Sequence, residues 1–90
     1  MELIISQHAL QQIFKRDISI ELIKLAISEG ELIKNYPDDK PYPSKLMLYF
    51  KNEMPLHIVI TENKRDNQII LITAYVPEIG IWNSDFKTKK

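Results

Sequence analysis

The sequence contains no cysteine and only two glycines. Without cysteine there can be no disulfide and no thiolate ligand for a structural zinc ion, so a hydrophobic core must hold the fold together. The low glycine content, with 44% hydrophobic and 27% charged residues, excludes collagen-like, low-complexity and disordered chains. A length of 90 residues predicts a single domain that covers residues 1–90.

An excess of charge and a long apolar run are also missing. Twelve basic and twelve acidic side chains cancel, so no overall field draws the chain towards nucleic acid or an anionic membrane. No run approaches the roughly 18 apolar residues of a membrane span, and residues 1–6 lack the basic flank and the length of a signal peptide. We therefore expect a cytoplasmic protein without membrane contact, in which any nucleic-acid binding depends on a local basic patch.

The motifs of metal and nucleotide chemistry are absent from the sequence. There is no His-Glu-x-x-His motif and no cysteine pair, and Asp38-Asp39 lies in a proline-rich loop without the ligand spacing of a calcium site. There is also no Gly-x-Ser-x-Gly turn and no glycine-rich phosphate loop. We therefore expect no metal site, no cofactor, no nucleophilic serine and no nucleotide hydrolysis.

Hydrophobic periodicity predicts one strand, two helices and then further strands. Ser6 and Ser19 occupy N-cap positions, which predicts helices from Ser6 to about Arg16 and from Ser19 to Gly30, the second of them mostly buried. A period of two predicts strands at Glu2–Ile5, Glu31–Tyr36, Lys45–Lys51, Leu56–Glu62 and Gln68–Val76. Short links favour hairpins, so we predict an α+β fold with both helices on one face of a four-stranded antiparallel sheet and with the first strand as a candidate fifth.

Alternation along the strands sorts their side chains between the two faces of the sheet. One parity is apolar and is predicted to meet the helices: Leu46, Leu48, Phe50, Leu56, Ile58, Ile60, Ile70, Ile72, Ala74 and Val76. The other parity is mixed. If both hairpins turn at the centre of their links, Tyr49, His57 and Thr73 form one row across this mixed face, and Tyr75 lies one step along the last strand.

His57 is the strongest candidate for proton transfer. Histidine titrates near neutral pH, and this one is predicted to lie beside a phenol and a hydroxyl. The alternative is a structural histidine bonded to Tyr49 or Thr73. His8, in the first turn of the first helix, is either a second catalytic group or a solvated helix position.

Phosphodiester cleavage without a metal needs a base, an acid and cations for the charged transition state. The candidate catalytic residues are His57, Thr73, Tyr75, Tyr49 and His8. The candidate RNA-binding residues, which supply cations for phosphates and an indole for base stacking, are Arg16, Lys45, Trp82 and Lys87. Structural interpretations stay open as well, because Trp82 can cover the core with Phe86 and the final lysines can belong to a frayed tail.

Several strings resemble a small bacterial family, the domain-of-unknown-function family numbered 4258. These strings are His8-Ala9, Arg16-Asp17-Ile18-Ser19, Pro55-Leu56-His57-Ile58-Val59, Ile72-Thr73-Ala74-Tyr75-Val76-Pro77, and Trp82 with Asp85-Phe86. The family resembles compact toxins of the RelE, MqsR and BrnT type. The resemblance implies a RelE-like fold, a metal-independent endonuclease acting on mRNA, free or on the ribosome, and a zinc-finger or helix-turn-helix antitoxin as partner. Gln12 and Asp17 depart from the family pattern, in which a basic residue and often a glycine stand there.

Two function classes follow from the sequence. The first is a toxin of a toxin-antitoxin pair with endoribonuclease activity. The second is a non-catalytic protein-binding module that uses the open sheet face or edge, favoured by the predicted exposure of Met47, Val59, Ile69 and Leu71. Both can hold together, because an antitoxin would cover the face of the toxin. RNA specificity and oligomeric state stay open.

Overall fold

The computed structural model describes residues 1–90 and contains two helices and five strands. The elements follow in the order β1 (Glu2–Ile5), α1 (Gln7–Lys15), α2 (Ile20–Glu29), β2 (Glu31–Tyr36), β3 (Ser44–Lys51), β4 (Met54–Asn63) and β5 (Gln68–Tyr75). One sheet contains all the strands in the order β1-β5-β4-β3-β2. The α+β class and both helices agree with the sequence prediction. Neither helix is long and apolar enough to cross a membrane.

The sheet contains both parallel and antiparallel pairs, so the prediction of an antiparallel sheet was wrong for β1. β1 pairs parallel to β5, and the other three neighbouring pairs are antiparallel. A parallel neighbour cannot be reached through a tight hairpin and needs a long crossover. The chain from α1 to β4 forms that crossover, so the candidate fifth strand joins the sheet beside β5.

The caps predicted for both helices are confirmed. Ser6 and Ser19 each accept a hydrogen bond from the backbone N–H three residues further on, both at 3.1 Å. Gly30 ends α2 and donates its N–H to Ala26 O at 2.9 Å. A Cβ atom at position 30 would clash with that same oxygen and would lie 3.1 Å from Leu48 O, so this close approach between α2 and β3 requires glycine.

The main core lies between the helices and one face of the sheet. Its buried members are Ala9, Ile13, Ile18, Leu22, Ile23, Ala26, Leu56, Ile58, Ile60, Leu71 and Ala74. On α2 only one side is buried, because Ile20 and Leu25 are exposed. The expectation that this helix is mostly buried was therefore wrong.

A tight turn between β3 and β4 changes the expected register. Lys51 pairs with Met54 around the two-residue turn Asn52-Glu53, in which Asn52 has a φ of 58°. The expected register paired Tyr49 with His57, which is one residue away from the observed pairing of Leu48 with His57. A shift of the pairing by one residue moves every side chain of a strand to the other face.

The predicted faces of β3 were therefore wrong. Leu46, Leu48 and Phe50 lie on the face away from the helices, on the same side as His57, which is opposite Leu48. Met47 and Tyr49 lie on the other face and pack against the helix-side core. Leu46 and Leu48 are nevertheless only 2% and 3% exposed, so the second face of the sheet is also covered.

A bulge in β5 changes the faces of that strand as well. Val59 pairs with Thr73, but the next residue of β4, Ile60, pairs with Leu71, which leaves Ile72 as an extra residue. Ile72 is 36% exposed. Among the residues predicted to meet the helices from this strand, only Ala74 does so, and the prediction was wrong for Ile70, Ile72 and Val76.

The C-terminal segment, residues 77–90, covers the second face of the sheet. It folds back on itself, since Asn83 N–H donates to Thr88 O at 2.8 Å and Lys90 N–H donates to Ile81 O at 2.9 Å. Trp82 is only 7% exposed and contacts the sheet through His57. The tail is therefore a structured cover and not a frayed end.

We expect Ile58→Ala to lower the free energy of unfolding by about 2 to 5 kcal/mol, because Ile58 is completely buried in the centre of the main core. Urea unfolding followed by circular dichroism measures the change. Ile79→Ala is the matched control, since Ile79 is 72% exposed and its truncation should change stability by less than about 0.5 kcal/mol. Equal losses in the two variants would contradict this assignment of the core.

Candidate functional site

His57 and Tyr75 form a hydrogen-bonded pair across β4 and β5. The Nε2 atom of His57 lies 2.7 Å from Phe86 O, and a carbonyl oxygen can only accept, so Nε2 carries the hydrogen and donates it. In the neutral ring Nδ1 is then the acceptor, and the Tyr75 hydroxyl donates to it at 3.2 Å. The surroundings therefore fix both the tautomer and the orientation of the imidazole.

The imidazole of His57 is completely buried between aromatic rings. Tyr75 and Trp82 meet it edge to face, with ring centroids 5.3 Å and 4.4 Å away. Burial lowers the pKa of His57 below its ordinary value of 6.5, and the bond to the Phe86 carbonyl opposes this shift in part. Burial also raises the pKa of Tyr75, with a further contribution from Tyr36. Both members of the pair are therefore neutral at pH 7.

Tyr75 lines a surface cleft of about 390 Å³ next to an anchored arginine. The lining residues of the cleft are Arg16, Tyr75, Val76, Glu78, Ile81 and Trp82. Arg16 directly follows α1, and its Nη1 donates to Ala74 O at 2.7 Å. Neither of the two salt bridges in the structure involves Arg16, so its remaining N–H groups are available to an anion.

Glu78 is a candidate functional residue that the sequence analysis missed. It follows β5 after Pro77, and its exposed carboxylate lines the cleft together with Arg16 and Tyr75. The sequence does contain one signal for it, because Glu78 lies only three residues after Tyr75, just beyond the end of the strand that contains this candidate. An acid, a phenol and a guanidinium thus share one cleft.

The predicted row of Tyr49, His57 and Thr73 was wrong. His57 lies opposite Leu48 on β3, and Tyr49 is on the helix face of the sheet. On β5 the partner of His57 is Tyr75, whereas Thr73 lies opposite Val59. The one-residue shift at the tight turn and the bulge in β5 together replace the expected row by the His57–Tyr75 pair.

Three further candidates lie outside the cleft. His8 is exposed in the first turn of α1. Lys45 forms a salt bridge with Glu62 at 3.1 Å, and Lys87 forms one with Glu31 at 2.9 Å. None of the three lines the cleft that contains Arg16 and Tyr75.

Trp82 lines the cleft but offers little ring surface to a ligand. Its indole is 7% exposed and packs perpendicular to the His57 ring, and the Lys89 Nζ atom lies 5.7 Å from the ring centroid. The indole therefore acts mainly as the wall that shields His57 from solvent. No group of three or more His, Asp or Glu side chains comes together in a way that could hold a metal ion.

The buried neutral state of His57 predicts a pH-dependent stability. The unfolded chain takes up a proton at His57 near pH 6.5, whereas the folded chain resists this proton, so stability is full above that pH and falls as the pH decreases towards the lowered pKa of the folded state. We expect the melting temperature to fall between about pH 7.5 and about pH 5.5. His57→Gln should flatten this slope, and His8→Gln should retain it. Equal slopes in the wild type and His57→Gln would contradict the assignment.

The chain matches a family model described as Domain of unknown function (DUF4258) over residues 5–76. No curated protein and no solved structure matches the chain significantly. The matched region extends from the end of β1 to the residue after β5 and includes Arg16, His57 and Tyr75, whereas Glu78 and Trp82 follow it. Because the match covers most of the sequence, the chain belongs to the DUF4258 family.

Proposed function

We propose that this protein is a metal-independent endoribonuclease of the toxin type, and that the cleft beside Tyr75 is its active site. One observation carries the proposal: the Tyr75 hydroxyl is hydrogen-bonded to the unprotonated Nδ1 of a buried, neutral His57, in a cleft that also contains an unpaired arginine. This arrangement supplies a proton acceptor and a cation next to each other. RNA cleavage by attack of the ribose 2′-hydroxyl requires both.

The proton passes from RNA through Tyr75 to His57. Because the phenol donates its hydrogen to Nδ1, its oxygen lone pairs are free to accept a hydrogen bond from the 2′-hydroxyl. As the 2′-oxygen attacks phosphorus, its proton moves to the Tyr75 oxygen and the phenolic proton moves to Nδ1. The resulting imidazolium is stabilised by the bond from Nε2–H to Phe86 O.

Arg16 stabilises the charge that develops on the phosphate oxygens. The bond from Nη1 to Ala74 O fixes the guanidinium before RNA binds, and its other N–H groups bind the phosphate. The bond from phosphorus to the 5′-oxygen then breaks. The same relay returns the proton to the leaving oxygen, so the products are a 2′,3′-cyclic phosphate and a 5′-hydroxyl end, and the enzyme regains its starting state.

The roles in this proposal differ from those predicted from the sequence. His57 is completely buried and touches no substrate, so it acts through Tyr75. Arg16, and not Lys45, is the cation, because Lys45 lies elsewhere and is paired with Glu62. Glu78 is the alternative proton acceptor in the same cleft. The resemblance to RelE-type toxins extends the proposal to mRNA, free or on the ribosome, as the substrate and to a cognate antitoxin as the partner.

We expect Tyr75→Phe to lower the rate of RNA cleavage by about 10² to 10⁴, because it removes the hydroxyl that connects RNA to His57. Purified protein is incubated with single-stranded RNA in EDTA, with and without ribosomes, and the ends of the products are analysed. Tyr49→Phe is the matched control, since Tyr49 lies on the opposite face of the sheet and should retain full activity.

Two further variants separate the roles within the cleft. Arg16→Ala should abolish cleavage, and Glu78→Gln should leave most of it if the Tyr75–His57 relay is the base. Expression of the intact chain in a bacterial host should arrest growth, and Tyr75→Phe should relieve the arrest. No cleavage and no arrest by the intact chain would overturn the proposed function, whereas an active Tyr75→Phe variant together with an inactive Glu78→Gln variant would assign the base to Glu78.

A further inference from the structure

The outer edge of β1 has free backbone hydrogen-bonding groups. Glu2 and Ser6 donate their N–H groups to carbonyls on the β5 side, at 3.0 Å and 3.3 Å. Backbone groups point alternately to the two sides of a strand, so the N–H and C=O groups of Leu3 and Ile5 point away from β5. Because β1 is the outermost strand on this side, no other strand pairs with them.

The two edges of the sheet differ in their protection. Edge strands usually carry a bulge, a lysine or a proline that prevents another strand from pairing with them. β2, at the far edge, has a break in register between Leu32 and Lys34 and exposes the lysine. β1 has none of these features and consists of one glutamate followed by three aliphatic residues. The edge at β1 is therefore open to strand addition.

An apolar groove of about 540 Å³ lies beside this open edge. The helices leave it uncovered, because α1 packs on β5 and α2 packs on β3 and β4. One wall is a stripe of α2 with the spacing of one helix face, and the floor comes from the sheet. Apart from Met1, the lining consists of Leu3, Ile5 and Ile69 from the sheet and Ile20, Lys24 and Ile27 from α2.

The positive charge of Lys24 determines which ligands fit the groove. Its side chain is the only charged one in the lining, and neither salt bridge of the structure involves it. A ligand that fills the groove therefore fits best with apolar groups and one carboxylate. A second copy of the chain would not supply that carboxylate through its own β1, because Glu2 alternates with Leu3 and lies on the other face of the strand.

We propose that β1 and this groove bind an extended segment of another protein. The segment adds to the sheet as a sixth strand through the backbone groups of Leu3 and Ile5. Its alternate side chains are apolar and lie over the groove, and an aspartate or glutamate among them pairs with Lys24. The binding function is independent of the proposed RNA cleavage, whose cleft lies at the other end of β5.

Selection from a phage-displayed library of random short peptides against the full chain tests the specificity. The selected peptides should alternate apolar and other residues and should include an acidic residue in the apolar register. Binding of the synthesised peptides, followed by fluorescence anisotropy, should weaken at least about tenfold in Lys24→Glu and should recover when the acidic residue of the peptide is replaced by lysine. Lys15→Glu, an exposed change on α1 outside the groove, is the control and should bind as the wild type.

Amide hydrogen exchange tests the mode of binding. The bound peptide should slow exchange at Leu3 and Ile5, whose N–H groups are free in the unbound chain, and should leave Ile4, which already faces β5, nearly unchanged. N-methylation of the peptide should abolish binding only at alternate positions. Failure to select peptides, peptides without an acidic residue, or binding without slower exchange at Leu3 and Ile5 would each overturn the proposal. A chain that self-associates through β1 in sedimentation experiments would assign the edge to a second copy instead.

Discussion

The two-residue turn at Asn52-Glu53 sets the pairing of β3 with β4 and thereby determines which of their side chains lie on each face of the sheet. A two-residue hairpin needs a positive φ, and asparagine adopts it more readily than most residues, as Asn52 does at 58°. The resulting register places Leu46 and Leu48 on the same face as His57. Both faces of the sheet are consequently apolar, so one is covered by the helices and the other needs a second cover.

The C-terminal segment provides that second cover and is tied to the sheet by His57. Phe86 has a φ of 58°, which is uncommon for a bulky residue and costs about 1 to 3 kcal/mol, yet its carbonyl receives the Nε2–H of His57 at 2.7 Å. The indole of Trp82 packs against the same imidazole, with the two ring centroids 4.4 Å apart. The imidazole is therefore both a structural link between sheet and segment and the group that polarises Tyr75, and the segment that buries it also contributes Trp82 and Glu78 to the cleft.

The sequence contained enough information for the helices but not for the sheet faces. Serine caps and a period near 3.6 are local signals, and the N-caps at Ser6 and Ser19 were predicted correctly. The faces depend on the pairing that a turn sets, and a predicted pairing one residue away from the observed one placed Tyr49 on the same face as His57 instead of the opposite face. The bulge at Ile72 leaves no local signal, since isoleucine also fits a regular strand. The sequence identified four candidates that line or support the cleft: His57, Tyr75, Arg16 and Trp82. It did not identify Glu78, because the place of this residue in the cleft depends on how the end of β5 lies beside the end of α1.

The cleft and the open edge lie at opposite ends of β5, and α1 connects them. Arg16 bonds to Ala74 near the end of β5, whereas Ile69 lies on the floor of the groove near its start. Five residues of extended strand separate these positions by roughly 17 Å. α1 begins after Ser6 and ends at the residue before Arg16, so it joins the open edge at β1 to the cleft. The groove beside β1 and the cleft have no lining residue in common. A partner held there can place the protein at a target without blocking Tyr75, whereas an inhibitor of the proposed cleavage must cover Arg16 and Tyr75 themselves.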